Sequence, residues 1–259
     1  MLVLLSPAKT MSSNLPSNPM LHGATTAPAL LNDASDIVAK LKTWSFEQTR
    51  TRLGLSDKLA QTVHAWHADW HPEGTATAGW TFRGDAFKSL DFPSLSPEVI
   101  LHAQQRLRIL HAVYGALRPL DQFMPVRLEM AQRWCHLPDC NSMGAFWKTR
   151  LPQEVECVSS NLKSSSHILN LASAEYGEVA LHGISPQRVV SCVFLEQRNG
   201  QLKAISSFAK TARGAMARHV LMHNITSPED VEDFSALGYV FSAQESSPNK
   251  KVFIRTLTS

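Results

Sequence analysis

No stretch of this 259-residue chain is long and apolar enough to cross a membrane as a helix. The longest apolar run near the start, Leu2 to Leu5, is also too short for the core of a secretion signal and has no basic residue ahead of it. A soluble, cytoplasmic protein with no membrane partner is therefore expected. Cysteine is scarce: Cys135, Cys140, Cys157 and Cys192 make up the four, and none form a CxxC pair. A chain of this length does not need disulfides, so reduced thiols are expected. Cys135, His136 and Cys140 have a loose metal-like spacing that fits a surface loop better. There is no GxxxxGK[ST] sequence, which excludes a P-loop. There is also no internal repeat, low-complexity tract or linker, so residues 1–259 read as a single domain.

What is present is ordinary in bulk and polarised in detail. The composition is 44% hydrophobic and 18% charged, with a net charge of +3. That is too apolar for disorder and only mildly basic. Met1 to Leu5 reads as a buried strand stopped by Ser6-Pro7, and residues 11 to 28 read as a long polar loop. Helical patterns cover Ser35 to Lys42 and Ser56 to Trp70. The spacing of Ile100, Ala103, Leu107, Leu110 and Tyr114 predicts a helix from Pro97 to Tyr114, capped by Ser96 and ended by Gly115. Arg106 and Arg108 fall off that stripe and are expected to face water or a ligand. His167 to Leu171, Val189 to Leu195, Leu202 to Phe208, Tyr239 to Phe241 and Val252 to Thr256 read as strands. Asn199-Gly200 is a strong hairpin signal, and a helix from about Thr211 to His223 follows. The fold class is mixed α/β, with one interleaved central mixed sheet and surrounding helices.

Charge collects in two places. Lys203 to Arg218 holds Lys203, Lys210, Arg213 and Arg218 with no acid, whereas Glu229 to Glu245 holds Glu229, Asp230, Glu232, Asp233 and Glu245 with no Lys or Arg. Lys210, Arg213 and Gly214 are read as lying at a strand-to-helix passage, where free backbone N–H groups and the positive helix end favour an anion such as phosphate. A second basic run contains Arg106, Arg108, Arg118, Arg127 and Arg133. Within it, the glycine-centred turn Tyr114-Gly115-Ala116-Leu117 suggests a helix-hairpin-helix-like element around residues 97–130.

Two polar loops follow strands, the usual place for ligands in α/β sheets. One is Ser6-Pro7-Ala8-Lys9-Thr10; the other is Asn170 to Tyr176. Ser6, Lys9, Asn170, Ser173, Glu175 and Tyr176 are thus the candidates for catalytic groups, with Glu175 suited to general acid–base work. His64, His67 and His71 share a helical face and would suit zinc or iron. Trp66 and Trp70 interleave, however, and such clusters are more often exposed helix ends. No metal site and no cofactor are expected.

The segments SPAKT (Ser6 to Thr10), LSDKLA (Leu55 to Ala60), FRGDAF (Phe82 to Phe87), LRILHAVYGALRPLDQFMPVRLEM (Leu107 to Met130), NLASAEY (Asn170 to Tyr176), ISSFAKTARGAMAR (Ile205 to Arg218) and GYVF (Gly238 to Phe241) occur in one order across nearly the whole chain. Together they resemble the YaaA peroxide-stress family. The resemblance implies an intracellular bacterial protein that limits damage by hydrogen peroxide and is associated with lowered free iron. It also implies an unusual α/β fold with a positively charged cleft, a helix-hairpin-helix element and binding of double-stranded DNA; no defined catalytic reaction comes with it. Lys9, Lys88, Arg118, Arg127, Lys210, Arg213, Gly214 and Arg218 are then the expected phosphate contacts. A nucleotide-like small molecule, handled enzymatically, is the alternative partner. The chain departs from the family pattern at Arg83, Ala174, Phe208, Thr211 and Ser242.

Overall fold

Strand β1 (Leu2–Leu5) is apolar at every position and completely buried, as befits a strand covered on both faces. The computed structural model describes residues 1–12, 23–162 and 165–256. Most of the loop expected over 11–28 therefore lies outside the described residues.

The other strands are β2 (Thr10–Met11), β3 (Ala76–Thr77), β4 (Phe82–Arg83), β5 (Leu107–His111), β6 (Gly115–Leu117), β7 (Gln122–Phe123), β8 (Ile168–Leu171), β9 (Val189–Arg198), β10 (Gln201–Lys203), β11 (Val240–Phe241) and β12 (Lys250–Thr256). The helices are α1 (Leu31–Leu41), α2 (Phe46–Leu53), α3 (Asp57–Asp69), α4 (Ala78–Thr81), α5 (Asp85–Leu90), α6 (Pro97–Arg106), α7 (Met143–Lys148), α8 (Leu151–Asn161), α9 (Ala174–Ala180) and α10 (Ser206–Met222). The protein is mixed α/β, with an eight-stranded central sheet ordered β11-β12-β9-β8-β1-β5-β6 and β10 paired to β9. Neighbours from β12 through β5 run parallel, and β11, β6 and β10 join antiparallel. Strands from both ends of the sequence thus share one sheet.

Around β5, three sequence expectations change. The helix predicted from Pro97 to Tyr114 ends at Arg106, and Leu107 to His111 becomes a fully buried strand paired with β1. Its apolar residues fit a helical stripe equally well, and pairing with β1 decides the outcome. Gly115 consequently opens β6 in a β-hairpin rather than joining two helices, so the turn is not helix-hairpin-helix geometry. Arg106 and Arg108 are buried, not facing water. Arg106 donates to the Met1 and Ile225 carbonyls and to Asn224 Oδ1, and Arg108 donates to the carbonyls of Gln104 and Leu107. The Arg108 contacts cap the end of α6.

Local signals held where chemistry was local. Ser96 Oγ caps α6 through Val99 N, with Pro97 in the first turn. Asn199 and Gly200 both take positive φ between β9 and β10, as a type I′ turn requires. The strand expected over Leu202 to Phe208 is shorter, because α10 begins at Ser206. Helix α10 packs on β9, β8 and β1 and along α5, whereas α9 packs on β5 and α8 on β6.

Candidate functional site

In the sheet, β1 lies between β5 and β8 and runs parallel to both. The chain leaves β1 and returns on one side as β5 and later on the other as β8, so the strand order reverses there. The loops beyond the carboxyl ends of these strands diverge and leave a crevice, the usual ligand position in an open α/β sheet. A cleft of about 510 Å³ occupies this place, and Leu5, His111 and Leu171, the last residues of the three strands, form part of its lining.

Specific contacts draw the surrounding segments together. Ser6 Oγ accepts from Ser173 N at 2.8 Å and lies 3.2 Å from Ser173 Oγ, tying the loop after β1 to the start of α9. The β2–β4 ribbon pairs Thr10 with Arg83 and brings the SPAKT and FRGDAF segments side by side. Lys9 Nζ reaches Glu129 at 2.7 Å, and Arg127 lies 3.5 Å from the same carboxylate. Glu175 Oε1 accepts from Ala131 N at 2.9 Å. His67 Nε2 meets the Arg127 carbonyl at 3.3 Å, so α3 buttresses the segment that carries Arg127.

The cleft wall is cationic. Lys9, Arg83, Lys88, Arg127, Lys210 and Arg213 line it, against Asp85, Glu129 and Glu175. Glu129 is shared by Lys9 and Arg127, whereas Arg83, Lys88, Lys210 and Arg213 make no side-chain ion pair or hydrogen bond among the described residues. Lys210 and Arg213, three residues apart on α10, face the cleft together. The Nε atoms of Arg127 and Arg213 are buried without a hydrogen-bond partner. Burial lowers the Arg213 pKa somewhat, but a guanidinium stays protonated at neutral pH. Buried unpaired donors are costly, and a bound anion would satisfy them.

His111 closes the cleft floor and is neutral. Burial pushes it down to about 3, against the effect of its hydrogen bond with the Val126 carbonyl. Its Nδ1 accepts from the N–H groups of Val113 and Tyr114, which requires that nitrogen to be unprotonated. His111 therefore shapes the strand end and holds the Val126 segment. Burial raises the Tyr176 hydroxyl well above the usual tyrosine range, so it stays protonated.

The remaining predicted residues divide clearly. Ser6, Lys9, Ser173, Glu175, Tyr176, Lys88, Arg127, Lys210 and Arg213 all line the cleft. Asn170 does not line it; its side chain accepts from Ala172 N and donates to Ser191 Oγ. Arg118 instead pairs with the fully buried Asp121 and donates to the Ala27 carbonyl. Arg218 caps the end of α5 through the carbonyls of Leu90 and Asp91. Gly214 is not at the helix start, which is Ser206. It is the point where α10 touches α5: an added Cβ would lie 1.8 Å from the Ala86 carbonyl oxygen. Arg83, Asp85 and Glu129 lie outside the residues expected at the site; the short Arg83-Gly84-Asp85 step between β4 and α5 is the available signal for the first two.

His64 meets Thr49 and His71 meets Glu73, while His67 is buried. Among the described residues, no group of three or more His, Cys, Asp or Glu could hold a metal ion, and no helix is long and apolar enough to cross a membrane.

The fold and the cleft define a mixed α/β protein with a cation-lined crevice at the reversal point of its sheet. Residues 1–245 match the family described as peroxide stress protein YaaA. A UPF0246 protein of Ralstonia pickettii (strain 12J) is 37% identical over 262 residues, covering all of both chains. UPF0246 proteins of Burkholderia mallei (strain SAVP1) and Burkholderia pseudomallei (strain K96243) are each 36% identical over 260 residues, covering 98% of each chain. The chain belongs to the peroxide stress protein YaaA family.

Proposed function

We propose that this family member protects the cell under peroxide stress by binding double-stranded DNA through the cationic cleft, with little base specificity. The observation that carries this reading is the set of four cleft cations, Arg83, Lys88, Lys210 and Arg213, without side-chain partners among the described residues. A cavity of about 510 Å³ takes a nucleotide-sized unit rather than the body of a duplex. The contacts are then to backbone phosphates of one strand segment, which fix position without reading sequence.

Duplex binding over a salt series tests this. The double variant Lys210→Ala/Arg213→Ala is expected to bind more weakly and to lose about 2 from the slope of log K against log salt, since each phosphate contact contributes about 0.9. An unchanged affinity and slope would remove the cleft from the DNA interface. The association with lowered free iron enters as a cellular consequence of the same activity. Cells carrying the double variant are expected to lose it, and retention would separate the two properties.

A second reading has one observation in its favour: the loops bearing Ser6 and Ser173 meet beside Lys210 and Arg213, with Glu175 at the same cleft. That arrangement suits an enzyme acting on a nucleotide or nucleobase, with Glu175 as proton donor or acceptor. Lys9 is engaged with Glu129, so a Ser6–Lys9 nucleophile–base pair is not assembled. Calorimetric titration with mononucleotides distinguishes the readings: saturable binding weakened by Ser173→Ala favours the enzyme, and its absence favours DNA.

A further inference from the structure

Away from the cleft, the segment between residues 131 and 142 folds back on itself. Cys140 N donates to the Leu137 carbonyl, closing a turn. Both ends are pinned: Met143 N donates to the Gln132 carbonyl, Gln132 Nε2 donates to the Arg52 carbonyl, and Trp134 packs edge-on against Trp44 with ring centroids 4.8 Å apart. Cys135 and Cys140 flank this turn, near enough for Cys140 to act on the Cys135 thiol. Cys140 Sγ also donates to the Ser142 carbonyl at 3.2 Å, and Cys135 Sγ lies 3.9 Å from His136 Nδ1. Both cysteines are half-buried and line an open groove of about 600 Å³, so small solutes reach them. Two thiols on one turn, a neighbouring imidazole and access from solvent are the components of a dithiol that can close to a disulfide on oxidation.

We propose that Cys135 and Cys140 form an oxidisable dithiol whose substrate is hydrogen peroxide and whose product is an intramolecular disulfide. Burial pushes the Cys135 thiol up, and His136 stands beside it to take its proton, so Cys135 is the resolving thiol and the first attack is assigned to Cys140. Its thiolate attacks one peroxide oxygen; the S–O bond forms, the O–O bond breaks, and the departing hydroxide takes a proton to become water. The Cys135 thiol then gives its proton to His136 and attacks the Cys140 sulfur. The S–S bond forms, the S–O bond breaks, and the leaving hydroxide is protonated to a second water. Two thiols lose two electrons and one peroxide gains them. Neither cysteine lies in the segments that carry the family resemblance, so this site is assigned to this chain and not to the family.

The other cysteines are internal controls, since Cys157 is exposed without a thiol neighbour and Cys192 is buried. Reduced full-length protein is exposed to hydrogen peroxide, alkylated and mapped by peptide mass spectrometry. The Cys135–Cys140 disulfide is expected to exceed any disulfide containing Cys157 by about tenfold or more, because its closure is intramolecular. Dithiothreitol should reverse it. In Cys135→Ser, dimedone should label a sulfenic acid at Cys140. If Cys135 and Cys140 both stay alkylatable while Cys157 is oxidised, the proposal is wrong. An unlabelled Cys140 in Cys135→Ser overturns the order of attack.

Discussion

Replacing Gly214 by Ala sets two effects of opposite sign against each other. A Cβ at this position would sit 1.8 Å from the Ala86 carbonyl oxygen, 2.6 Å from its carbon and 2.8 Å from its Cα. Carbon–oxygen contacts begin near 3.3 Å, so α10 and α5 would have to separate by roughly 1.5 Å. The obstacle is backbone, which cannot rotate away, so the cost lies at the upper end of overpacking, about 3 kcal/mol. Alanine returns about 1 kcal/mol of helix propensity. The net loss is about 2 kcal/mol, a fall in melting temperature of roughly 4–8 °C for a chain of this size. Urea unfolding followed by circular dichroism, with calorimetry, measures it. Because α5 carries Lys88 and α10 carries Lys210 and Arg213, the proposed DNA binding should weaken as well. Adding Ala86→Gly should not rescue stability, since the carbonyl remains. An unchanged or raised midpoint in Gly214→Ala would refute the close packing of these helices.

Two further outcomes separate structural charge from binding charge. Arg118→Ala leaves the fully buried Asp121 without its guanidinium and should cost about 3–5 kcal/mol, read by urea unfolding, while the salt slope of the proposed DNA binding in the folded variant stays that of the wild type. His67 and His111 govern acid stability: burial pushes them down to about 4 and about 3, below the value of about 6.5 for an unfolded histidine. The unfolded chain therefore takes up protons first. Stability is full above about pH 6.5 and falls as pH drops towards the folded values, by at most about 1.4 kcal/mol per pH unit for each histidine. Urea midpoints between pH 7 and pH 5 should show this fall, and His67→Gln should flatten it; an equal slope in the variant would show that His67 is not held neutral.

Much of the fold was legible where a few adjacent residues decide the conformation. The apolar run Leu2–Leu5, the Ser96-Pro97 helix start and the Asn199-Gly200 turn each carry their own cause. Leu107 to Tyr114 misled because its apolar spacing satisfies both a helical face and a doubly buried strand. Only β1 alongside it selects the strand. Among the site residues, the two post-strand loops were readable, because an α/β sheet leaves its crevice at strand ends. Arg118, Arg218 and Gly214 were not, because the Asp121 carboxylate, the end of α5 and the Ala86 carbonyl that occupy them are brought there by folding.

By itself, the sequence determined the α/β class, the local turns and caps, the order of the motif segments and the acid-free basic stretch. These depend on residue type, on neighbours within a few positions, or on linear pattern. The tertiary structure alone decided which positive charges remain available. An arginine's charge is identical in any sequence, but its role depends on the carboxylate or carbonyl placed within reach. Folding directs Arg118 and Arg218 to internal partners and leaves Arg83, Lys88, Lys210 and Arg213 around one cleft.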